Sequence, residues 1–260
     1  MGLKLKGRVA IVTGASRERG IGTAICRALA LEGADILFTH WGSFDKTQSY
    51  GEDRDWENKL SKELVGLGVK AAHMEADLAD PNVADDILDY ADKTLGTPSI
   101  LINNATYWAP SNYRTFDAEV IDRHCSVNIR GTGLLTTKFA QRFEQTHVGK
   151  IPGRIIFMVS KGNDANNLAY LATKGAQTAL IEPLSVGLAP LGITVNAVDP
   201  GPTDSGWMDD VVKSHLLPMF PMGRIGQPED AARLITFLVS DEAGWITGQR
   251  IISEGGFTNK

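Results

Sequence analysis

The sequence predicts a doubly wound α/β fold in which a parallel sheet of about seven strands carries helices on both faces, formed by residues 1–260 as a single domain. Three observations carry this expectation. Short apolar, β-branched runs alternate with longer stretches of helical periodicity, the pattern of parallel strands joined by helical crossovers. The runs are continuously apolar, as suits strands covered on both faces. No linker, repeat or low-complexity tract divides the 260 residues.

The first strand, Arg8 to Val12, leads through a glycine-rich turn into a helix over Gly22–Glu32. Ile36-Leu37-Phe38 forms the second strand, and His40 stands at its end. Trp41–Asp55 is polar, aperiodic and holds Gly42, Asp45, Gly51, Asp53 and Asp55, which predicts a long surface loop. Beyond it, amphipathic stretches at Pro81–Leu95, Asp117–Phe143, Tyr170–Leu188 and Pro228–Val239 alternate with strands at Ile100–Ile102, Ile155–Val159, Ile193–Val195 and Ile251–Ile252.

Composition narrows the function. Hydrophobic residues make up 43% and charged residues 22%, enough for a sizeable core, which excludes bulk disorder. Lys and Arg number 26 against 31 Asp and Glu, so the net charge of −5 offers no basic footprint for nucleic acid or an anionic membrane. Cys26 and Cys125 make no disulfide framework or metal cluster, which fits a reducing, cytoplasmic setting. The segment Met1–Val12 has too few apolar residues for a signal peptide, and no apolar run is long enough to span a bilayer. His73, His124, His147 and His215 show no ligand spacing, so no metal is expected.

The turn after the first strand reads Thr13-Gly14-Ala15-Ser16-Arg17-Glu18-Arg19-Gly20-Ile21-Gly22. Glycines at a strand-to-helix turn let backbone N–H groups and the positive helix end approach a diphosphate without Cβ clashes. That is the chemistry of dinucleotide binding in a Rossmann arrangement, although glycines also simply make tight turns. Thr13-Gly14 followed by Gly20-x-Gly22 resembles the Thr-Gly-x-x-x-Gly-x-Gly fingerprint of the short-chain dehydrogenase/reductase family, with a loop two residues longer. Further matches span nearly the whole chain: Asp77-Leu78, Asn103-Asn104-Ala105, Asn128, Ser160, Tyr170-x-x-x-Lys174, Asn196-Ala197-Val198-Asp199-Pro200-Gly201, Ile246-Thr247-Gly248-Gln249 and Gly255-Gly256. Thr106 stands where that family usually has glycine.

Four residues apart on a helix, Tyr170 and Lys174 share one face. An ammonium beside a phenol, whose ordinary pKa is about 10, stabilises the phenolate and makes a tunable proton donor or acceptor. The resemblance implies that Tyr170 protonates a substrate carbonyl oxygen and that Lys174 holds the nicotinamide ribose and lowers the Tyr170 pKa. It further implies that Ser160 hydrogen-bonds the carbonyl and that Asn128 holds a water linking Lys174 to solvent. Ser160 and Tyr170 are ten positions apart, fewer than the family usually has, so Lys161–Ala169 is a shortened active-site loop.

For the cofactor, the resemblance assigns Gly14, Ser16, Gly20, Ile21 and Gly22 in the glycine-rich turn, Asp77, Leu78, Asn104 and Ala105 after the third and fourth strands, and Pro200, Gly201, Thr203 and Ser205 at the nicotinamide, beside Tyr170 and Lys174. His40 is no acid that could bind a ribose 2′-OH, and Arg17 or Arg19 could meet a 2′-phosphate or be a solvated charge. NADP(H) is therefore expected to be preferred over NAD(H). Trp207, Met208, Leu216, Leu217, Met219 and Phe220 could cover the substrate or pack on the core. Gly223–Asp230 and the C-terminal motif most resemble 3-oxoacyl-carrier-protein reductase-like members, implying a small carbonyl, alcohol or acyl thioester substrate and a homotetramer or homodimer. An enoyl reductase, which would space Tyr and Lys further apart, and a non-catalytic dinucleotide sensor or scaffold are the competing readings.

Overall fold

The apolar runs become strands in the computed structural model, which describes residues 2–48 and 51–258. These are β1 (Val9–Val12), β2 (Asp35–His40), β3 (Ala71–Glu75), β4 (Ile100–Asn103), β5 (Gly153–Met158), β6 (Ile193–Asp199) and β7 (Arg250–Ile252). They form one parallel sheet in the order β3-β2-β1-β4-β5-β6-β7. The order reverses between β1 and β4, and Val12 sits level with Phe38 and Ile102, so a crevice opens where ligands bind such sheets.

The helices are α1 (Ile21–Leu31), α2 (Gly42–Asp45), α3 (Trp56–Gly66), α4 (Val83–Thr94), α5 (Ala118–His124), α6 (Thr132–Thr146), α7 (Leu168–Leu188), α8 (Asp210–Leu216) and α9 (Pro228–Val239). Side chains alternate across a strand, so Ala10 and Val12 pack with Leu29, Leu60 and Leu238 of α1, α3 and α9, while Ile11 packs with Ile87, Phe139 and Ile181 of α4, α6 and α7. Two apolar layers thus cover the sheet.

Two segments differ from the sequence expectation. Trp41–Asp55 is not loop throughout: it holds α2 and the buried Asp45, and α3 follows at once. Ser49 and Tyr50 of that segment lie outside the described residues, as do Met1 and the last two residues. The single helix expected over Asp117–Phe143 is α5 and α6 joined by a π-helical stretch, Cys125–Gly131, that contains Asn128. Such widened turns commonly mark functional sites. Gly223–Asp230 leads into α9 and supplies its first turn from Pro228 on. Asp230 accepts the Gln227 N–H at 2.9 Å and is gripped by Arg224 at 2.6 and 2.9 Å, while Pro228 opens the helix.

Candidate active site

The glycine-rich turn is braced from β4. Thr13 Oγ1 accepts the Asn104 and Ala105 N–H groups, both at 3.0 Å, and Asn104 Nδ2 donates to the Thr13 and Gly14 carbonyls at 2.8 and 2.9 Å. Gly14 has φ +75°, and a Cβ there would lie 2.8 Å from Ala105 Cα. A Cβ on Gly22 would run into the Gly14 carbonyl. Both positions therefore require glycine. Gly20 precedes α1 with no side-chain cap and no acid in the first turn, so the first amides and the positive end of this 11-residue helix are left for an anion. This fits a dinucleotide diphosphate at Gly20, Ile21 and Gly22. The longer loop closes on itself, with Arg17 O accepting from Thr23 Oγ1 at 2.6 Å and from Gly20 N at 3.1 Å.

Arg17 faces the buried Asp45 after β2 and also reaches the segment after β6, to which Arg19 turns as well. Arg17 Nη1 donates to Ser205 O at 3.1 Å, and Arg19 pairs at 3.0 Å with Asp204, which also takes Lys213 at 2.9 Å. The loop's extra residues carry both guanidinium groups toward the segment after β6. Among the described residues, a hollow of about 90 Å³ beside His40 is lined by Ser16, Gly42, Glu52, Asp53, Glu57 and Glu75. His40 Nε2 lies 3.2 Å from His73 Nδ1, and burial, then His73, lowers the His40 pKa. Asp77 accepts the Ala79 N–H at 2.9 Å, and Leu78 is buried beneath it.

Ser160 leaves β5, and Tyr170 and Lys174 stand one turn apart at the start of α7. The short loop between them is pinned to the chain after β4. Ser111 N donates to Asn166 O at 2.7 Å, Leu168 N to Ser111 O and Ala169 N to Ser111 Oγ at 2.9 Å, and Trp108 Nε1 to Asn167 Oδ1 at 2.7 Å. The loop thereby still brings the Ser160 hydroxyl into hydrogen-bond contact with Tyr170.

Burial pushes the Tyr170 phenol up to about 12; the hydrogen bond from Ser160 opposes this and the Asp199 charge adds to it. The expected lowering by Lys174 is absent, because burial dominates. Lys174 is buried, donates to Met158 O at 2.7 Å and lies 5.7 Å from the Tyr170 ring centroid. Its own pKa falls to about 7 through burial, which Asp199 opposes. At neutral pH the pair therefore holds a protonated phenol beside an amine near its titration midpoint, an arrangement suited to giving a proton.

Asn128 is buried in the π-helical stretch. Its Oδ1 accepts from Tyr107 N at 2.7 Å and Thr106 Oγ1 at 3.2 Å, and its Nδ2 donates to Tyr107 O and Thr173 Oγ1, both at 3.0 Å. Its carbonyl accepts from Gln177 Nε2 at 2.6 Å and keeps a second lone pair. The side chain thus locks the chain after β4 onto α7.

After β6, Asp199 accepts from Gly201 N at 3.3 Å and pairs with Arg250 at 2.7 Å. Pro200 precedes Gly201, whose φ is +61°, and Thr203 Oγ1 donates to Gly201 O at 3.2 Å, with Ser205 N on Thr203 O at 2.9 Å. In the stretch that follows, Met208 and Phe220 are buried while Trp207 and Leu217 are exposed, so cover and core roles coexist. Sequence reasoning missed Asp45, Asp199, Thr13, Gln177 and the Met158 carbonyl as site groups. Thr13 and Asp199 had local signals, standing within the motifs after β1 and β6.

Comparison with known proteins places the chain among oxidoreductases. Residues 14–258 match a family model described as Enoyl-(Acyl carrier protein) reductase. The chain is 51% identical over 254 residues to the "Uncharacterized oxidoreductase YjdA" of Bacillus subtilis, covering 96% of each. It is 33% identical to NADPH-dependent aldehyde reductase 2, chloroplastic, of Arabidopsis thaliana, covering 98% of this chain and 95% of the relative. A blue fluorescent protein from a metagenomic library, solved in complex with NADPH, superposes with a TM-score of 0.83 at 29% identity, covering 98% of this chain and 100% of the other.

Proposed function

The chain belongs to the short-chain dehydrogenase/reductase family of oxidoreductases, and from that premise we propose that it reduces a carbonyl group to a secondary or primary alcohol at the expense of NADPH. The observation that carries this reading is the hydrogen-bonded Ser160 and Tyr170 beside the buried Lys174, at the carboxyl ends of the strands and next to an uncapped helix N-terminus. Gly14, Ile21 and Gly22 would hold the dinucleotide, which when bound supplies a hydride to the carbonyl carbon.

The chain's own groups handle the oxygen. Ser160 orients the carbonyl, and Tyr170, protonated across the neutral range, gives its proton to the oxygen as the hydride arrives. Lys174, with a pKa near 7, stands ready to restore the proton and hold the ribose. Asn128 and Asp199 position the site. Tyr170 and Lys174 four apart favour carbonyl over enoyl reduction, and the contact between Ser160 and Tyr170 favours turnover over a sensing or scaffold role. Relatives named for NADPH and the absence of an acid at His40 support NADP(H).

The two substrate classes we favour are 3-oxoacyl compounds and aldehydes. A panel of 3-oxoesters, acyl thioesters, diketones and aldehydes, followed by cofactor absorbance with NADPH and with NADH, is expected to give turnover with at least one class, faster with NADPH. Binding of the cofactor with no oxidation by any carbonyl would leave the sensor reading in its place.

The reading extends to a homotetramer or homodimer acting in the cytoplasm. Trp245 at 99% exposure, Val186 at 71% and Phe237 at 43% put large apolar side chains at the surface, where a second copy of the chain would cover them. Light scattering at micromolar concentration is expected to return a multiple of 28.1 kDa, and a monomer mass would remove the assembly from the proposal. Among the described residues no helix is long and apolar enough to cross a membrane.

A further inference from the structure

The segment after β2 folds back over the glycine-rich turn. Trp41 N donates to Ser16 Oγ at 3.1 Å, and Glu18 N donates to Asp53 Oδ2 at 2.8 Å, so the strap is fastened at two points. The Trp41 and Phe44 rings stack at 5.6 Å, and Phe44 meets Tyr107 at 5.4 Å, an aromatic wall running from the end of β2 to the chain after β4. Between these anchors α2 turns Asp45 inward. Its side chain is 95% removed from solvent, accepts a hydrogen bond from the Ser16 hydroxyl and faces the Arg17 cation.

Ser16 and Arg17 are the hydroxyl and the cation of the glycine-rich turn that face Asp45, and Ser16 also lines the hollow beside His40. A dinucleotide lying on this turn brings its adenosine ribose to the end of β2, where the second strand's terminal residue decides between a 2′-OH and a 2′-phosphate. His40 cannot act as the hydrogen-bonded acid there. The carboxylate comes instead from five residues further along, carried in by the strap.

Resting on the dinucleotide reading above, we propose that Asp45 is the residue that discriminates between the two nicotinamide cofactors: it occupies the phosphate-binding groups Ser16 and Arg17, and a 2′-phosphate binds only by displacing it. A 2′-OH leaves the carboxylate in place and donates to it. Asp45 therefore narrows the advantage of NADPH and lets NADH bind. Burial raises the Asp45 carboxyl to about 6, opposed by Arg17 and the Ser16 hydrogen bond and reinforced by Asp53 and Glu52, so the group is ionised and repulsive to phosphate in mildly alkaline buffer. The carboxylates of Glu52, Asp53, Glu57 and Glu75 around the hollow act in the same direction.

The test is direct binding, read from the fluorescence of reduced nicotinamide titrated into wild type, Asp45→Asn and Asp45→Ser at pH 8. Thermal melts check that each variant folds, and Asn keeps an acceptor for Ser16. The expected result is a rise of about tenfold in the ratio of the NADH to the NADPH dissociation constant, most of it from tighter NADPH, since a dianionic phosphate then meets Arg17 without a competing carboxylate. A ratio that moves less than threefold overturns the proposal, and so does a parallel shift of both constants, which is what a merely loosened strap would give. Wild type that binds neither cofactor overturns this inference together with the oxidoreductase reading. Wild type that binds both while the variants leave the ratio unmoved overturns the role of Asp45 alone.

Discussion

Tyr170→Phe is expected to lower carbonyl turnover by about 10²–10⁴-fold, the usual contribution of a positioned general acid, while cofactor affinity stays within a few fold. The two effects separate because only the hydroxyl is removed. The ring still packs over Lys174, and the glycine-rich turn is untouched. Burial holds the phenol near 12, so the wild-type rate of the proton-transfer step is expected to stay flat through neutral pH with respect to this group. Single-turnover rates and cofactor titrations on the same preparation check both halves. A variant keeping more than about a tenth of wild-type turnover would show that another group supplies the proton.

Lys174→Met is expected to remove most turnover and to weaken cofactor binding, because the side chain reaches both Met158 and the face that Tyr170 presents. It also has a consequence that needs no substrate. The folded-state pKa of Lys174 is depressed from its ordinary 10.5 to about 7, so between those values the unfolded chain binds a proton that the folded chain does not. Stability from this group therefore rises with pH across that window and is lost as pH falls toward 7. Methionine abolishes the dependence. The stability of Lys174→Met relative to wild type should be most favourable near pH 7 and should decline by pH 9.5, as measured by urea midpoints at the two values. A difference that does not change with pH would mean that Lys174 is not held in a poorly solvated site.

The strap over the glycine-rich turn bears on both experiments. Asp45 and Trp41 contact Ser16 in the glycine-rich turn, whereas Ser160 and Tyr170 meet each other where β5 ends and α7 begins. On the proposed reading, cofactor choice and proton transfer rest on separate parts of the chain, and the variants that probe one should leave the other readable.

The sequence by itself determined the layered α/β architecture, since continuously apolar runs such as Val9–Val12 and Ile155–Val159 have few stable homes other than a doubly covered parallel sheet. It also determined the glycine-rich turn and the Tyr170 and Lys174 pair, because those features depend on local spacing: a strand, a turn, one turn of helix. The edge strand Ala71–Glu75, only partly buried and mixed in polarity, left no apolar run to read, and α3, whose helical face is marked by little more than Trp56, Leu60 and Leu64, escaped it. What only the tertiary structure decided are contacts between residues far apart in the chain. Asp45 on Ser16, Arg17 on Ser205, Asp199 on Arg250 and Asn128 between Tyr107 and Thr173 have no periodicity to read. The direction of the pKa shifts belongs to the same class: a Tyr beside a Lys looks acidified in sequence, yet desolvation at the crevice floor outweighs that pairing and leaves the phenol a firmly held acid. Spacing along a chain records which groups can share a helix face, whereas burial and charge at a site are sums over every element that packs around it.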